Sequence, residues 1–384
     1  MSDSKIPFNQ ADFGHLEAEM VGRAMASVTS GNGPFCKEAE ELLAGIHPGS
    51  SALLTPSCSS ALELAARLVG FRPGDEVIVP SFTFVTTVSA FVTNGATPVF
   101  CDIDPETLGL DVRKAESLIT ERTRAICLVH YAGVPADPLG FADLAERYNL
   151  VLIEDNAHGL GGLSEGKTLG TFGAMSTLSF HETKNISCGE GGALIINNPE
   201  LLARAEILRE KGTDRSKFLR GQIDKYTWVD NGSSWVLSDV LASILVAQLR
   251  RFQEIQTARS HVWMRYFEEL STWAKENGVS IQGRDVSHTS HLFYLIFPGV
   301  DARDRFIDYA DSNGVAAVFH YQPLHLSRSG RKWVKEGSSF PVSEQVSDGL
   351  VRLPLFSGLS DSDVTRVVEA VKSYSPAQAR HSDH

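Results

Sequence analysis

Basic residues are in the minority. Against 47 Asp and Glu there are 35 Lys and Arg, a net charge of −12, which argues against general binding to nucleic acid or to an anionic membrane, since both need a basic face. An anionic small ligand would need a local basic pocket. Cysteine is scarce too: Cys36, Cys58, Cys101, Cys127 and Cys188 are an odd number with no C-x-x-C pair. That pattern supports neither a disulfide frame nor a zinc site, and Cys101 and Cys127, inside apolar runs, read as small buried hydrophobes in a reducing compartment. No apolar run reaches membrane-spanning length, and the opening MSDSKIPFNQADFG lacks a charged-then-apolar signal pattern, so a cytoplasmic location is expected. No Gly-Lys-Ser/Thr follows a glycine turn, and GLGG (159–162) does not complete a dinucleotide fingerprint. A P-loop and a Rossmann dehydrogenase are therefore disfavoured. Internal repeats and low-complexity blocks are also lacking.

What is present is alternation. EVIVP (76–80), PVFCDI (98–103), AICLVHY (125–131), VLIED (151–155), MSTLSF (175–180) and ALIIN (193–197) read as strands. They are too apolar on both faces for a one-sided sheet. Helical stretches at 60–70, 83–95 and 138–149 lie between them, which predicts a mostly parallel, doubly wound α/β domain. Residues 212–235 are polar and aromatic without a clean period, and a loop that long is usually functional or interfacial. A long amphipathic helix is predicted from about Ser238 to Lys275. HLFYLIFP, a helix from Ala302, GVAAVFHY and RLPLF then make a smaller α+β domain. The boundaries are set at 1–237 and 238–375, with a disordered polar tail at 376–384.

Three motifs could carry chemistry. VLIEDNAHG ends a strand with Glu154, Asp155 and His158. Asp155 could simply cap a helix, but ligands of open α/β sheets bind at strand carboxyl ends, where its charge could hold a proton on a ring nitrogen. PSCSSALELA opens a helix whose free amides and hydroxyls at Ser57, Cys58 and Ser59 could hold a phosphate, although serine N-capping alone is common. Lys184 follows a strand that should be buried, with Ser179 before it and the glycine turn 189–192 after it. A lysine after a strand is most often a solvated charge; a desolvated one has a lowered pKa and can form Schiff bases and move protons. Phosphate, ring nitrogen and aldehyde together point to one cofactor, pyridoxal 5'-phosphate.

In the order SCSSALELA, PSFTFVTT, VHYAG, VLIEDNAHG, SFHETKN, GEGGALI, FHYQPLH and RLPLF, the chain resembles the DegT/DnrJ/EryC1/StrS sugar aminotransferases. Within that group it is similar to the dTDP-4-amino-4,6-dideoxygalactose transaminases. The resemblance implies a fold-type I architecture: a mixed, mostly parallel seven-stranded sheet with helices on both faces, plus the small carboxyl-terminal domain. It also implies roles: Lys184 the Schiff-base lysine, Asp155 the pyridine-nitrogen partner, and His158 near the ring hydroxyl. Cys58, Ser59 and Ser179 would hold the phosphate and Phe84 would stack on the ring. Ser234 would reach across a homodimer interface, at a position where relatives often carry Asn. His181, Lys211, Tyr321 and His325 would be the substrate-side residues. For a diphosphate, Lys211, Arg215 and Arg220, or else Arg328 and Arg331, are the basic candidates.

The expected function is transfer of an amino group from L-glutamate to a nucleotide-linked 4-keto-6-deoxyhexose by a homodimer with shared active sites and no metal. Alternatives are the same chemistry at a 3-keto sugar and a cofactor-binding regulator without turnover. A regulator usually carries an added DNA-binding segment, which this chain lacks.

Overall fold

Strands apolar on both faces must be covered twice, and that condition organises the large sheet. In the computed structural model, which describes residues 5–283 and 287–375, its strands are β1 Ser51–Thr55, β2 Glu76–Pro80, β3 Thr97–Cys101, β4 Thr123–Val129, β5 Val151–Asp155, β6 Met175–Ser179 and β7 Gly192–Ile196. Their order is β1-β7-β6-β5-β4-β2-β3. Pairs from β3 through β6 are parallel; β7 runs antiparallel to both neighbours. The tail 376–384, expected to be disordered, lies outside the described residues.

Helices α1 His15–Met25, α2 Pro34–Ile46, α3 Cys58–Val69, α4 Thr86–Thr93, α5 Val112–Ser117 and α6 Pro138–Tyr148 supply the cover. On one face Leu53, Val77, Val79, Ile153, Met175 and Leu194 pack on α3 and α4. On the other, Ile78, Val99, Ile126 and Leu152 meet Phe141 and Leu144 of α6, while Leu54, Leu178 and Ile195 meet α1 and α2. The short β1 (SALLT) is absent from the strands read in the sequence. Ala and Leu carry little β propensity, and it is pairing with β7 and burial that make this segment a strand.

Beyond α7 Leu202–Arg209, the polar stretch holds a short helix, α8 Arg215–Leu219, and two isolated antiparallel bridges, Glu210 with Ser234 and Thr213 with Trp228. The helix expected to run unbroken from about Ser238 to Lys275 is two: α9 Asp239–Arg250 and α10 Phe252–Glu276. They serve different cores. Ala242, Leu245, Val246 and Leu249 pack with α1 and α2, whereas Val262, Trp263, Tyr266 and Leu270 pack in the small domain. Arg251 sits at the break, its guanidinium held by Asp12, Glu17 and Glu254 at 3.2, 3.1 and 2.9 Å.

The small domain has a four-stranded antiparallel sheet: β8 Ser280–Ile281, β9 Phe293–Ile296, β11 Leu350–Leu353 and, at the edge, β10 Val318–Phe319. Helices α11 Val300–Ser312, α12 Pro341–Gly349 and α13 Asp361–Ser373 accompany it. The amino-terminal segment is a strap. Ile6 bridges in parallel to Val315, its amide bonding Gly314 O at 2.8 Å, and the chain then crosses to Asn9, whose Nδ2 donates to Glu182 O at 3.1 Å.

Candidate active site

The carboxyl ends of parallel strands present unfilled backbone groups, and side chains there face a crevice. Here the crevice is a cavity of about 730 Å³ closed by the small domain and by Phe8 and Asn9 of the strap. Into it open the start of α3, the end of β5, and the turn after β6.

At one end, Ser57 caps α3, its hydroxyl accepting from Ser60 N at 3.1 Å. The first amides of the helix stay free for an anion beside Cys58, Ser59 and Ser179, where the helix dipole favours negative charge. Gly192, opposite Thr55 at the start of β7, makes this approach possible. A Cβ there would lie 2.3 Å from Ser57 C and 2.4 Å from Cys58 N.

At the other end Asp155 is 6% exposed. Its Oδ2 accepts from Thr87 Oγ1 at 2.8 Å and its Oδ1 from the Ala157 amide at 3.3 Å. Burial raises its pKa, against the pull of these bonds and of Lys184. The neighbouring Glu154, also singled out in the sequence, faces away from the cavity. It accepts from the amides of Gly170, Phe172 and Gly173 at 2.7–2.8 Å and meets His130 Nε2 at 3.0 Å, a clamp on the loop before β6.

Lys184 sits in a turn, its amide bonded to His181 O at 2.9 Å. Burial lowers the pKa of its amine to about 8, with Cys58 and Asp155 opposing and Arg352 reinforcing the shift. Beside it stand three histidines, His158, His291 and His320, kept well below the usual histidine range by burial. His158 stacks on His291 with ring centroids 4.1 Å apart. The Ala132 amide donates to His158 Nδ1 at 3.2 Å, so the neutral ring carries its proton on Nε2. Asn185 Nδ2 donates to Gln256 and Thr289, leaving Oδ1 to accept from His291 Nδ1 at 2.8 Å. His291 Nε2 is then a lone-pair acceptor.

Of the residues expected from sequence, Cys58, Ser59, Phe84, Asp155, His158, Ser179, His181, Lys184 and Tyr321 line this one cavity. His325, Lys211 and Ser234 do not. His325 is buried outside it, bonded to Ser81 and, through Nε2, to Glu344 at 3.0 Å, and packed on Phe340; it ties the 320s loop to the end of β2. Lys211 and Ser234 are exposed on the stretch after α7. Arg215 and Arg220, on the same stretch, form ion pairs with Glu210 and Glu206. Sequence reading missed Phe8, Thr87, His291, His320 and Arg352. Thr87, His291, His320 and Arg352 stand inside quoted stretches, PSFTFVTT, HLFYLIFP, FHYQPLH and RLPLF, where a polar residue in a largely apolar stretch was the only local signal.

The donor set fits a phosphorylated pyridine aldehyde: free helix amides for phosphate, a buried carboxylate for a ring nitrogen, and an amine of lowered pKa between them. Comparison with known proteins gives the same direction. The profile of the DegT/DnrJ/EryC1/StrS aminotransferase family matches residues 12–372. Uncharacterised protein MJ1066 of Methanocaldococcus jannaschii is 34% identical over 349 residues, 88% of this chain and 90% of that one. Among solved structures, aminotransferase TlmJ of Streptoalloteichus hindustanus superposes with a TM-score of 0.88 at 31% identity, covering 98% of this chain and 99% of that one. Spr1654 of Streptococcus pneumoniae, a candidate sugar aminotransferase solved in its PLP form, gives 0.88 at 26% identity, covering 96% and 98%. The chain belongs to the DegT/DnrJ/EryC1/StrS aminotransferase family.

Proposed function

We propose that this aminotransferase works with pyridoxal 5'-phosphate and moves the amino group of L-glutamate to dTDP-4-dehydro-6-deoxy-D-glucose, giving dTDP-4-amino-4,6-dideoxy-D-galactose for a cell-surface polysaccharide. The carrying observation is the desolvated amine of half-buried Lys184, in one cavity with the Asp155 carboxylate and the open amino end of α3. The sugar is supported by the likeness of SFHETKN and the 209–239 run to transaminases of that substrate.

When bound, the cofactor supplies an aldehyde that takes up an amine and a ring that delocalises the electron pair left when a proton departs. The chain does the rest. The amides of Cys58 and Ser59, with the Ser59 and Ser179 hydroxyls, bind phosphate. Phe84 covers the ring, and His158 offers its Nε2–H to the ring hydroxyl. Asp155 keeps the ring nitrogen protonated, with Thr87 fixing its orientation. Lys184 Nζ, neutral in a useful fraction because its pKa is lowered to about 8, takes the proton from the donor carbon and returns it on the acceptor side. His181 and Tyr321 face the substrate. The reading also takes the enzyme to be a homodimer in which Ser234 and Lys211, outside their own chain's cavity, serve the site of the second subunit.

Purified protein incubated with glutamate and a panel of dTDP-linked keto sugars should aminate the 4-keto sugar, with the product identified by mass spectrometry and NMR. Exclusive amination of 3-keto sugars would replace this substrate with its nearest alternative. Borohydride should fix the cofactor on the peptide carrying Lys184, and Lys184→Ala should abolish turnover; an active Lys184→Ala enzyme would sink the reading.

A further inference from the structure

Arg352 is the feature of the cavity that the roles above leave unused. It lies on β11 between Tyr294 of β9 and Val318 of β10. Strand alternation sends Val351 and Leu353 into the small-domain core, and Leu350 toward Tyr131 and Tyr294. Arg352 shares the Leu350 face and so lines the cavity. The Phe8 ring of the strap lies 4.6 Å from its guanidinium carbon. Nη2 donates to Phe319 O at 3.1 Å, whereas Nε is buried with no partner.

Among the described residues no carboxylate pairs with it. Arg251 and Arg209, also well covered, are answered by acids. Arg259, more deeply buried and likewise without an acid, has its donors turned to the Ser290 and His291 carbonyls and away from open space. A half-buried cation facing a cavity without a counter-ion carries a desolvation cost. A ligand that brings the negative charge removes that cost, and the planar fork of arginine matches a carboxylate with two parallel bonds.

Two anions are available on the reading above: the carboxylate of the amino acid and the diphosphate of the sugar nucleotide. Position favours the first. The charge of Arg352 is felt at Lys184, His158, His291 and His320, the groups around the reacting amine. An α-carboxylate is bonded to the very carbon that loses its proton, so its receptor must stand next to Lys184. A diphosphate is separated from the keto carbon by the hexose ring.

Building on that reading, we propose that Arg352 is the carboxylate receptor of the donor half-reaction: its fork takes the α-carboxylate of the amino acid, and of the 2-oxo acid it becomes, while the nucleotide sugar binds without it. Phe8 closes over the pair and keeps water from it.

The test separates the half-reactions. Cofactor-loaded wild type, Arg352→Gln and Arg352→Lys are each taken through one turnover with glutamate, and then with the keto sugar, followed by the cofactor's absorbance. Arg352→Gln should lose roughly 10- to 100-fold in kcat/KM for glutamate, with the sugar step unchanged. Arg352→Lys, which keeps the charge and loses the fork, should fall between and covers the case in which Arg352→Gln fails to fold. A loss confined to the sugar step would give Arg352 to the diphosphate and overturn the proposal. Equal losses in both steps, or none, would overturn it as well. Calorimetric binding of 2-oxoglutarate to the same loaded proteins distinguishes the two readings. If wild type aminates no sugar yet binds 2-oxoglutarate in an Arg352-dependent way, the substrate assignment fails and the receptor stands. If wild type aminates the sugar and Arg352→Gln binds 2-oxoglutarate as tightly, the receptor fails alone.

Discussion

Lys184 illustrates a conflict between stability and chemistry at a single residue. Its amine titrates near pH 8 in the fold and near 10.4 in an unfolded chain. Between those values the unfolded chain binds the extra proton, so this residue's contribution to stability rises with pH across that window. Below pH 8 the penalty is complete, with a ceiling of about 3 kcal/mol. Cofactor-free Lys184→Met should therefore melt higher than cofactor-free wild type at pH 7, with the gap closing toward pH 10.5; equal melting curves at pH 7 would mean the amine is solvated. Asp155→Asn should keep the fold and raise the barrier to transamination by several kcal/mol, about the scale of preorganised electrostatics. Thr87→Val removes one bond to that carboxylate and should cost only about 1 kcal/mol, read as kcat/KM. Near wild-type turnover in Asp155→Asn would reduce Asp155 to a capping residue. Both Asp155 and Lys184 were legible from a local pattern: Asp155 ends an apolar strand, and Lys184 follows one within five residues of its end. Thr87 was not, since its partner lies 68 positions away, and Arg352 matters through neighbours on other strands that one-dimensional spacing does not reveal.

Secondary-structure elements were legible where one periodicity ran without competition. Six strands of the large sheet stand within a few residues of where alternation predicts them. The seventh, β1, escaped because its residues favour no conformation strongly, and its pairing partner comes more than a hundred residues later. The break between α9 and α10 escaped for the opposite reason: apolar spacing continues through Arg251, but the two halves belong to different cores. The contact between β7 and the start of α3 gives a test at this scale. Gly192→Ala places a methyl against backbone at 2.3 Å, and displacing Ser57 and Cys58 must disturb the free amides of α3. The variant should bind pyridoxal phosphate more weakly, measured by equilibrium dialysis, while its circular dichroism stays close to wild type. Unchanged affinity would show that the anion does not depend on those amides.

At the scale of the whole molecule, five of the exposed large apolar side chains among the described residues, Phe218, Leu219, Tyr226, Trp228 and Val229, lie together on the stretch after α7. Trp228 is 72% exposed, and Leu219, Tyr226 and Val229 are about half exposed, more apolar surface in one place than a free loop commonly carries. Aromatic anchors of this kind are enriched in interface cores. Light scattering should therefore report a dimer, and Trp228→Glu with Leu219→Glu should shift it toward monomer. Mixing Lys184→Ala subunits with inactive Ser234→Arg subunits that still dimerise should restore part of the activity, because one site of each mixed dimer escapes both lesions. Verified mixed dimers that recover nothing would rule out shared sites. A different consequence follows from the strap. Ile6 is seated on Val315, and Phe8 on Arg352, so the strap waits on the ribosome for partners made more than 300 residues after it. At roughly 5–20 residues per second, that wait lasts from about twenty seconds to over a minute. During it the nascent chain has the open start of α3 but not the wall that closes the cavity over it, so the cavity is completed only after the small domain has been made.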